Sequence, residues 1–266
     1  MANTLAEILL KTAECLKGLR YSISTDTGTQ TTLIDAAMDE PDGFFDGGTI
    51  WFLSGDLAGK TAIITDWDED THTFTFASQS IAPGNVIKYA AFDANYRRDA
   101  LIAAVNSALS ALGPLPTITV DATLVTVAAQ EEYTLPTGVN NIKRVEIASN
   151  LTEPYGYVEN TGWFESGGSL WFDLETPATA GYQIRLYHEE AHDRVEEDDD
   201  VIDDLLHPDM VSWNAAVIAL ISRTGISENS EPHTKEMLSY ARQQAAILNA
   251  KHAVKHWLKA SRPSGW

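Results

Sequence analysis

Cysteine is nearly absent: Cys15 is the one thiol in 266 residues. That excludes an internal disulfide and a cysteine-ligated zinc site. Long apolar runs are lacking too, so no segment reads as a membrane span. The first residues carry no basic stretch leading into an apolar one, so no secretory leader is expected. Positive charge is scarce, with 18 Lys and Arg against 38 Asp and Glu and a formal net charge of −20. This balance disfavours a protein that grips DNA, which needs clustered cations to displace counterions. There is no Walker loop, dinucleotide fingerprint or G-x-S-x-G elbow. What remains, 44% hydrophobic and 21% charged residues, is an ordinary globular composition, long enough for one large domain or two modest ones. Synthesis inside a cell fits all of this.

The apolar period changes along the chain. Thr4-Leu-Ala-Glu7 fits a capping box, and Leu5, Ile8, Leu9, Thr12 and Leu16 follow at helical spacing, with Gly18 as the expected stop. From Thr31 to Tyr89 the period is two. Thr49–Leu53, Thr61–Thr65, Thr73–Phe76 and Val86–Tyr89 read as strands, separated by turns at Asp46-Gly-Gly48, Ser54–Gly59, Asp68–Asp70 and Pro83-Gly-Asn85. Asn95–Leu112 returns to helix before Gly113-Pro114, and a second β block spans Ile118–Tyr187. His207-Pro208 opens a helix bearing Met210, Trp213, Val217 and Leu220 and closed by Gly225; a last helix is expected from Pro232 to Lys259.

The expected fold class is therefore α+β: a helical core of about four helices with two inserted antiparallel β blocks, the first a small barrel or sandwich. Residues 1–20, 93–113 and 205–260 form the expected core, with 21–92 and 114–190 as the β blocks. Residues 191–204 connect them as an acidic run, and 261–266 form a polar tail.

Charge is polarised within this frame. Glu196, Glu197, Asp198, Asp199 and Asp200 crowd together beside Arg194, whereas Lys235, Arg242, Lys251, Lys255, Lys259 and Arg262 face only Glu236. A solvated face is the plain reading; contact between copies is the sharper one.

His188-Glu-Glu-Ala-His192 matches the letters of a zinc-peptidase helix, in which two imidazoles one turn apart bind metal and the Glu polarises its water. Its context differs. Glu190, Asp193 and Arg194 are charged, Val195 stands where the longer motif has Gly, and His188 follows a period-two strand. A chance match on a strand end and loop, within an exposed turn, is expected; a downstream Glu ligand on a second helix, such as Glu228 or Glu231, is the alternative. Asp66, Asp68 and Asp70 lack the Gly and distal Glu of a calcium loop. Trp51, Trp67, Trp163 and Trp171 lie in strand-like segments, where core or interface packing is the default over a glycan platform. Cys15 reads as a small buried hydrophobe. No catalytic residue and no cofactor are expected.

Tyr133-x-Leu-Pro136, Val139, Ile142-x-Arg-Val145, Gly168-x-Leu170 and Gly181-Tyr-x-Ile-Arg-Leu186, followed by the acid run, His207-Pro208 and Trp213, resemble head–tail connector (adaptor or neck) proteins of tailed bacteriophages. The block Gly47-Gly-Thr49, Gly55, Gly59-x-Thr61 and Thr73–Phe76 is similar to a β-module of phage virion proteins. The resemblance implies a virion structural protein made in the host cytoplasm. It would be a ring subunit, commonly in a dodecamer, that joins the portal to a downstream tail or neck protein. DNA would pass through the ring without specific binding, and no membrane would be involved. On this reading Lys251, Lys255, Lys259, Arg262 and Trp266 dock the portal, and Glu196, Glu197, Asp198, Asp199 and Asp200 form an acidic channel or interface surface. A receptor- or glycan-binding virion protein and a zinc peptidase through His188, Glu189 and His192 stand as alternatives.

Overall fold

A computed structural model of the protein describes residues 3–149, 156–173, 180–224 and 232–253. The elements in chain order begin with β1 (Asn3–Thr4), α1 (Leu5–Cys15), β2 (Leu19–Ile23), β3 (Asp26–Thr29), β4 (Thr32–Ile34), β5 (Thr49–Phe52), β6 (Thr61–Asp68), β7 (Thr73–Phe76) and β8 (Lys88–Phe92). After a 3-10 turn at Ala94–Tyr96 come α2 (Arg98–Leu112), β9 (Leu115–Val125), β10 (Glu132–Thr134), β11 (Arg144–Ala148), β12 (Tyr157–Asn160), β13 (Trp163–Ser166), β14 (Ser169–Phe172) and β15 (Gln183–Glu190). β16 (Val201–Ile202), α3 (Pro208–Thr224) and α4 (Pro232–Lys251) complete the described chain. The class is α+β, as the alternation of periods implied. No described helix is long and apolar enough to cross a membrane. Two compact units result: Met1–Ala111 with Arg194–Ala253, and Leu112–Asp193.

In the first unit, strands pair in the order β2-β8-β5-β6-β7-β4-β3. β6 passes from β5 to β7 across an irregularity between Ile64 and Asp66. The order starts on β2 and ends on β3, which only Ser24 and Thr25 separate in the chain. One face of these strands supplies Phe52, Trp67, Phe74, Phe76 and Tyr89, and Phe45 of the β4–β5 connection joins them in an aromatic core. Ring pairs meet edge-on, Phe45–Trp67 at 5.7 Å and Phe74–Tyr89 at 5.5 Å, the arrangement that aromatic quadrupoles favour. The polar ends are satisfied: Trp67 Nε1 donates to Glu40 O at 2.8 Å and Tyr89 Oη to Asp35 Oδ2 at 2.6 Å. Gly48 is needed for close approach, since a Cβ there would lie 2.0 Å from Phe92 O.

β5 is buried along its whole length. Ile50 and Phe52 face the aromatic core, while Trp51 lies under the Arg98 guanidinium of α2. Burial of β5 on both faces ties residues 21–92 to α2 within one unit.

The helices pack as α1 on α3 and α3 on α4. Ser212 Oγ reaches Ile8 O at 3.5 Å, Lys11 pairs with Asp209 at 3.0 Å, and Asn214 exchanges hydrogen bonds with Asn249. α1 stops differently from expectation. Lys17 takes the left-handed conformation (φ 55°), and Gly18 N–H closes back on Ala13 O at 3.2 Å. Gly18 serves another purpose: a Cβ there would lie 2.5 Å from the Tyr96 ring. The last helix is described to Lys251; Gly225 and residues 254–266 lie outside the described residues.

The second unit is built from two antiparallel sheets, β12-β11-β15-β9 and β10-β14-β13. They share one core of Tyr133, Val145, Trp163, Leu170, Phe172, Ile184 and Leu186. Period-two alternation makes this possible: Val145 and Ile147 of β11 sit opposite Leu186 and Ile184 of β15, all inward. The residues between them, Arg144, Glu146, Arg185 and Tyr187, take the other face.

Candidate functional site: an acid run docked by its backbone

The acid run is a strap tied down at several points. Its carbonyls cap α1, since Leu5 N–H donates to Asp200 O at 2.9 Å and Ala6 N–H to Asp198 O at 3.1 Å. These are two of the amides that a helix start leaves without an internal partner. The capping box is therefore half realised. Thr4 Oγ1 accepts Glu7 N–H at 3.4 Å, and Thr4 itself pairs with Val201 in the β1–β16 ladder.

The opposite side of the strap is held by α2. Asn106 Nδ2 donates to Val195 O at 2.8 Å while Val195 N–H donates to Asn106 Oδ1 at 2.9 Å. Arg98 forms an ion pair with Asp198, both side chains being largely shielded. Asp200 folds inward to accept the N–H groups of Glu196 and Glu197 at 2.7 and 2.9 Å. Those two donors hold its carboxyl below the usual carboxylate range.

Of the five predicted acidic residues, Asp198 and Asp200 are half-buried and engaged, whereas Glu196, Glu197 and Asp199 are exposed. Asp203 and Asp204 extend that exposed edge. The sequence placed the charges but missed Asn106 and Arg98, the side chains that fix them. The available signal was an Asn beside the Leu101–Val105–Leu109 stripe of a helix.

The zinc-like pair sits elsewhere, in the second unit. His188 belongs to β15 and is 1% exposed, its Nε2 2.8 Å from Thr119 Oγ1. The expected exposed turn is thus corrected for this residue: its register places it on the inward face with Ile184 and Leu186. Glu189 takes the opposite face, bonded to Lys143 and Asn141, and His192 lies beyond the strand end. A metal-binding helix turn cannot form from a strand whose alternate residues diverge. Among the described residues no cluster of three or more His, Cys, Asp or Glu could hold a metal ion. Glu228 and Glu231 lie outside the described residues.

Lys251 is exposed at the end of α4. Lys255, Lys259, Arg262 and Trp266, the other predicted portal contacts, lie outside the described residues. Trp51, Trp67 and Trp163 are buried. Trp171 is half-buried and stacks on exposed Phe164 at 6.0 Å. A recess of about 560 Å³ beside β9 and β10 includes Asp121 and Tyr133 in its lining. Both are already committed, Asp121 to Thr123 and Tyr133 to the backbone of Val127 and Gln130.

Inserted β modules, helices gathered from three parts of the chain and a charged strap fixed by its backbone define an α+β protein organised around surfaces. The family model described as SU10 adaptor protein matches residues 80–262. The chain belongs to the SU10 adaptor protein family and is a phage adaptor structural protein, a component of the virion. The resemblance drawn from Tyr133–Leu186 and the Trp213 helix is borne out at this level. The matched segment begins just before β8, so β2 to β7 precede it. No curated protein matches the chain.

Proposed function

We propose that the chain is one subunit of a ring, a dodecamer, that joins the portal to the tail or neck and lines the channel through which DNA passes. Family membership supports the adaptor role, and the docked acid run carries the channel reading. Its backbone is spent on structure, which leaves Glu196, Glu197 and Asp199 facing outward on a firm base. A firmly held acidic surface denies phosphates a binding well, so DNA can slide. The role is structural rather than catalytic, and synthesis takes place in the host cytoplasm before incorporation into the virion.

In this arrangement the helical segments 1–20, 93–113 and 205–260 form the ring-building body, with the β blocks 21–92 and 114–190 carried on it. Residues 191–204 supply the acidic surface. Lys251, Lys255, Lys259, Arg262 and Trp266 dock the portal, the Trp as apolar anchor and the Arg as charge partner.

Electron microscopy of the purified chain, alone and mixed with its portal, tests the reading. Dodecameric rings seated on the portal are expected, and a chain that stays monomeric in both conditions refutes the ring. Deleting residues 261–266 should abolish portal binding while leaving the thermal melt unchanged.

A further inference from the structure

Two exposed surfaces of the first unit share one unusual composition. On α4, Tyr240 and Ile247 are 55% and 51% exposed. They are seven residues apart, hence two turns along one stripe, and Lys251 continues it one turn further. Tyr240 meets Trp213 of α3 edge-on at 5.5 Å, so the stripe begins on a firm footing. On the strap, Val201 and Leu205 are 60% and 51% exposed, and exposed Asp199 and Asp204 stand beside them. The α4 surface thus runs from exposed Glu236, one turn before Tyr240, through two apolar residues to the Lys251 cation; the strap surface carries two apolar residues among carboxylates only. They are carried by separate supports, since α4 packs on α3 while the strap is fixed to α1 and α2.

We propose that the Tyr240–Ile247–Lys251 stripe of one copy packs onto the Val201–Leu205 strap of a second copy of this chain. The choice of a second copy rests on complementarity within a single chain. Lys251 supplies the cation that the strap lacks, and each surface leaves two large apolar side chains in water that the other would cover. Because two different surfaces meet, the contact is head-to-tail, the type that closes into rings when the rotation allows. The inference rests on the ring reading above and assigns its subunit contact; it takes Lys251 from the portal-docking set and Asp199 from the channel surface, leaving Lys255, Lys259, Arg262 and Trp266 to the portal and Glu196 and Glu197 to the channel.

The test uses the full chain in two one-sided variants. Ile247→Asp spoils the α4 stripe, and Leu205→Lys spoils the strap. All the altered side chains are exposed, so melts and circular dichroism should match the unmodified chain. Sedimentation, with and without portal, should show self-association weakened about tenfold or more in each variant, as for loss of a central apolar contact. Mixing the two should restore association, since each retains the surface that the other has lost. A charge swap, Lys251→Glu combined with Asp204→Lys, should recover part of the association lost in either single change.

Unmodified rings together with undisturbed rings from both variants would overturn this contact while leaving the ring standing. So would variants that assemble but lose portal binding, since the stripe would then belong to the portal. An unmodified chain that is monomeric even on the portal overturns the ring and this contact together.

Discussion

Asn106 and Val195, 89 residues apart, bind each other as two strand residues would. The side-chain amide of Asn106 donates to the Val195 carbonyl and accepts its N–H, at 2.8 and 2.9 Å. A single helix residue thereby pins the start of the acid run. Asn106→Leu keeps the volume but leaves the Val195 backbone groups unpaired in a shielded place. We expect a loss of about 1–3 kcal/mol, read from urea denaturation. A change below about 0.5 kcal/mol, the range of an ordinary surface substitution, would mean that the pair does not hold the strap.

That same pairing marks where sequence reading stops. α2, α3 and the strands β5, β6 and β7 were legible because burial imposes a period that can be counted, as at Leu101, Val105 and Leu109. β2 to β4 were not, because Asp26–Thr29 and Thr32–Ile34 are short and polar and gain their pairing from β7 and β8. The strap's acids announced a charged surface. Its fixing, however, depends on backbone carbonyls that every residue possesses and on partners near the other end of the chain. His188 shows the converse: its letters suggested a motif, and its strand register removes it.

The carboxylate of Asp200 makes the strap sensitive to acid. The Glu196 and Glu197 amides depress its pKa in the folded state, so it contributes stability above its ordinary value of about 3.9. That contribution is lost as pH falls through the lower, folded value. Protection of those two amides from hydrogen exchange, corrected for intrinsic rate, should hold near neutrality and decline in strong acid. Asp200→Asn keeps an acceptor that cannot titrate and should flatten the profile. Unchanged pH dependence in that variant would assign the effect to another group.

Cys15 should be chemically quiet. Burial, then the nearby carboxylates of Glu14 and Asp209, push its thiol up to about 12. Only the thiolate attacks an alkylating agent, and an unperturbed thiol titrates near 8.5. At pH 8 iodoacetamide should modify the folded chain at least about a hundredfold more slowly than the urea-unfolded chain. Comparable rates would show the thiolate to be accessible.

Among the described residues of the second unit, Glu146 is the one strongly buried carboxylate, at 4% exposure. It is held by Arg144, by Arg185 at 3.5 Å and by the Tyr187 hydroxyl at 2.8 Å. Arg185 also lies 3.5 Å over the Tyr157 ring, so the network ties β11, β12 and β15 together across their register. Removing the charge with Glu146→Gln leaves two guanidinium groups facing a neutral amide. Both arginines are partly exposed and solvent screens them, so the cost should be about 1–2 kcal/mol, below that of a fully buried pair. Tyr187→Phe should cost about 1.5–3 kcal/mol, as for a hydrogen bond to a charged group. Because Glu146→Gln weakens, by removing the charge, the hydrogen bond that Tyr187→Phe deletes, the double variant should cost less than their sum by more than about 0.5 kcal/mol. Strict additivity in urea denaturation would show that Tyr187 is stabilised by packing against Arg144 and not by the carboxylate.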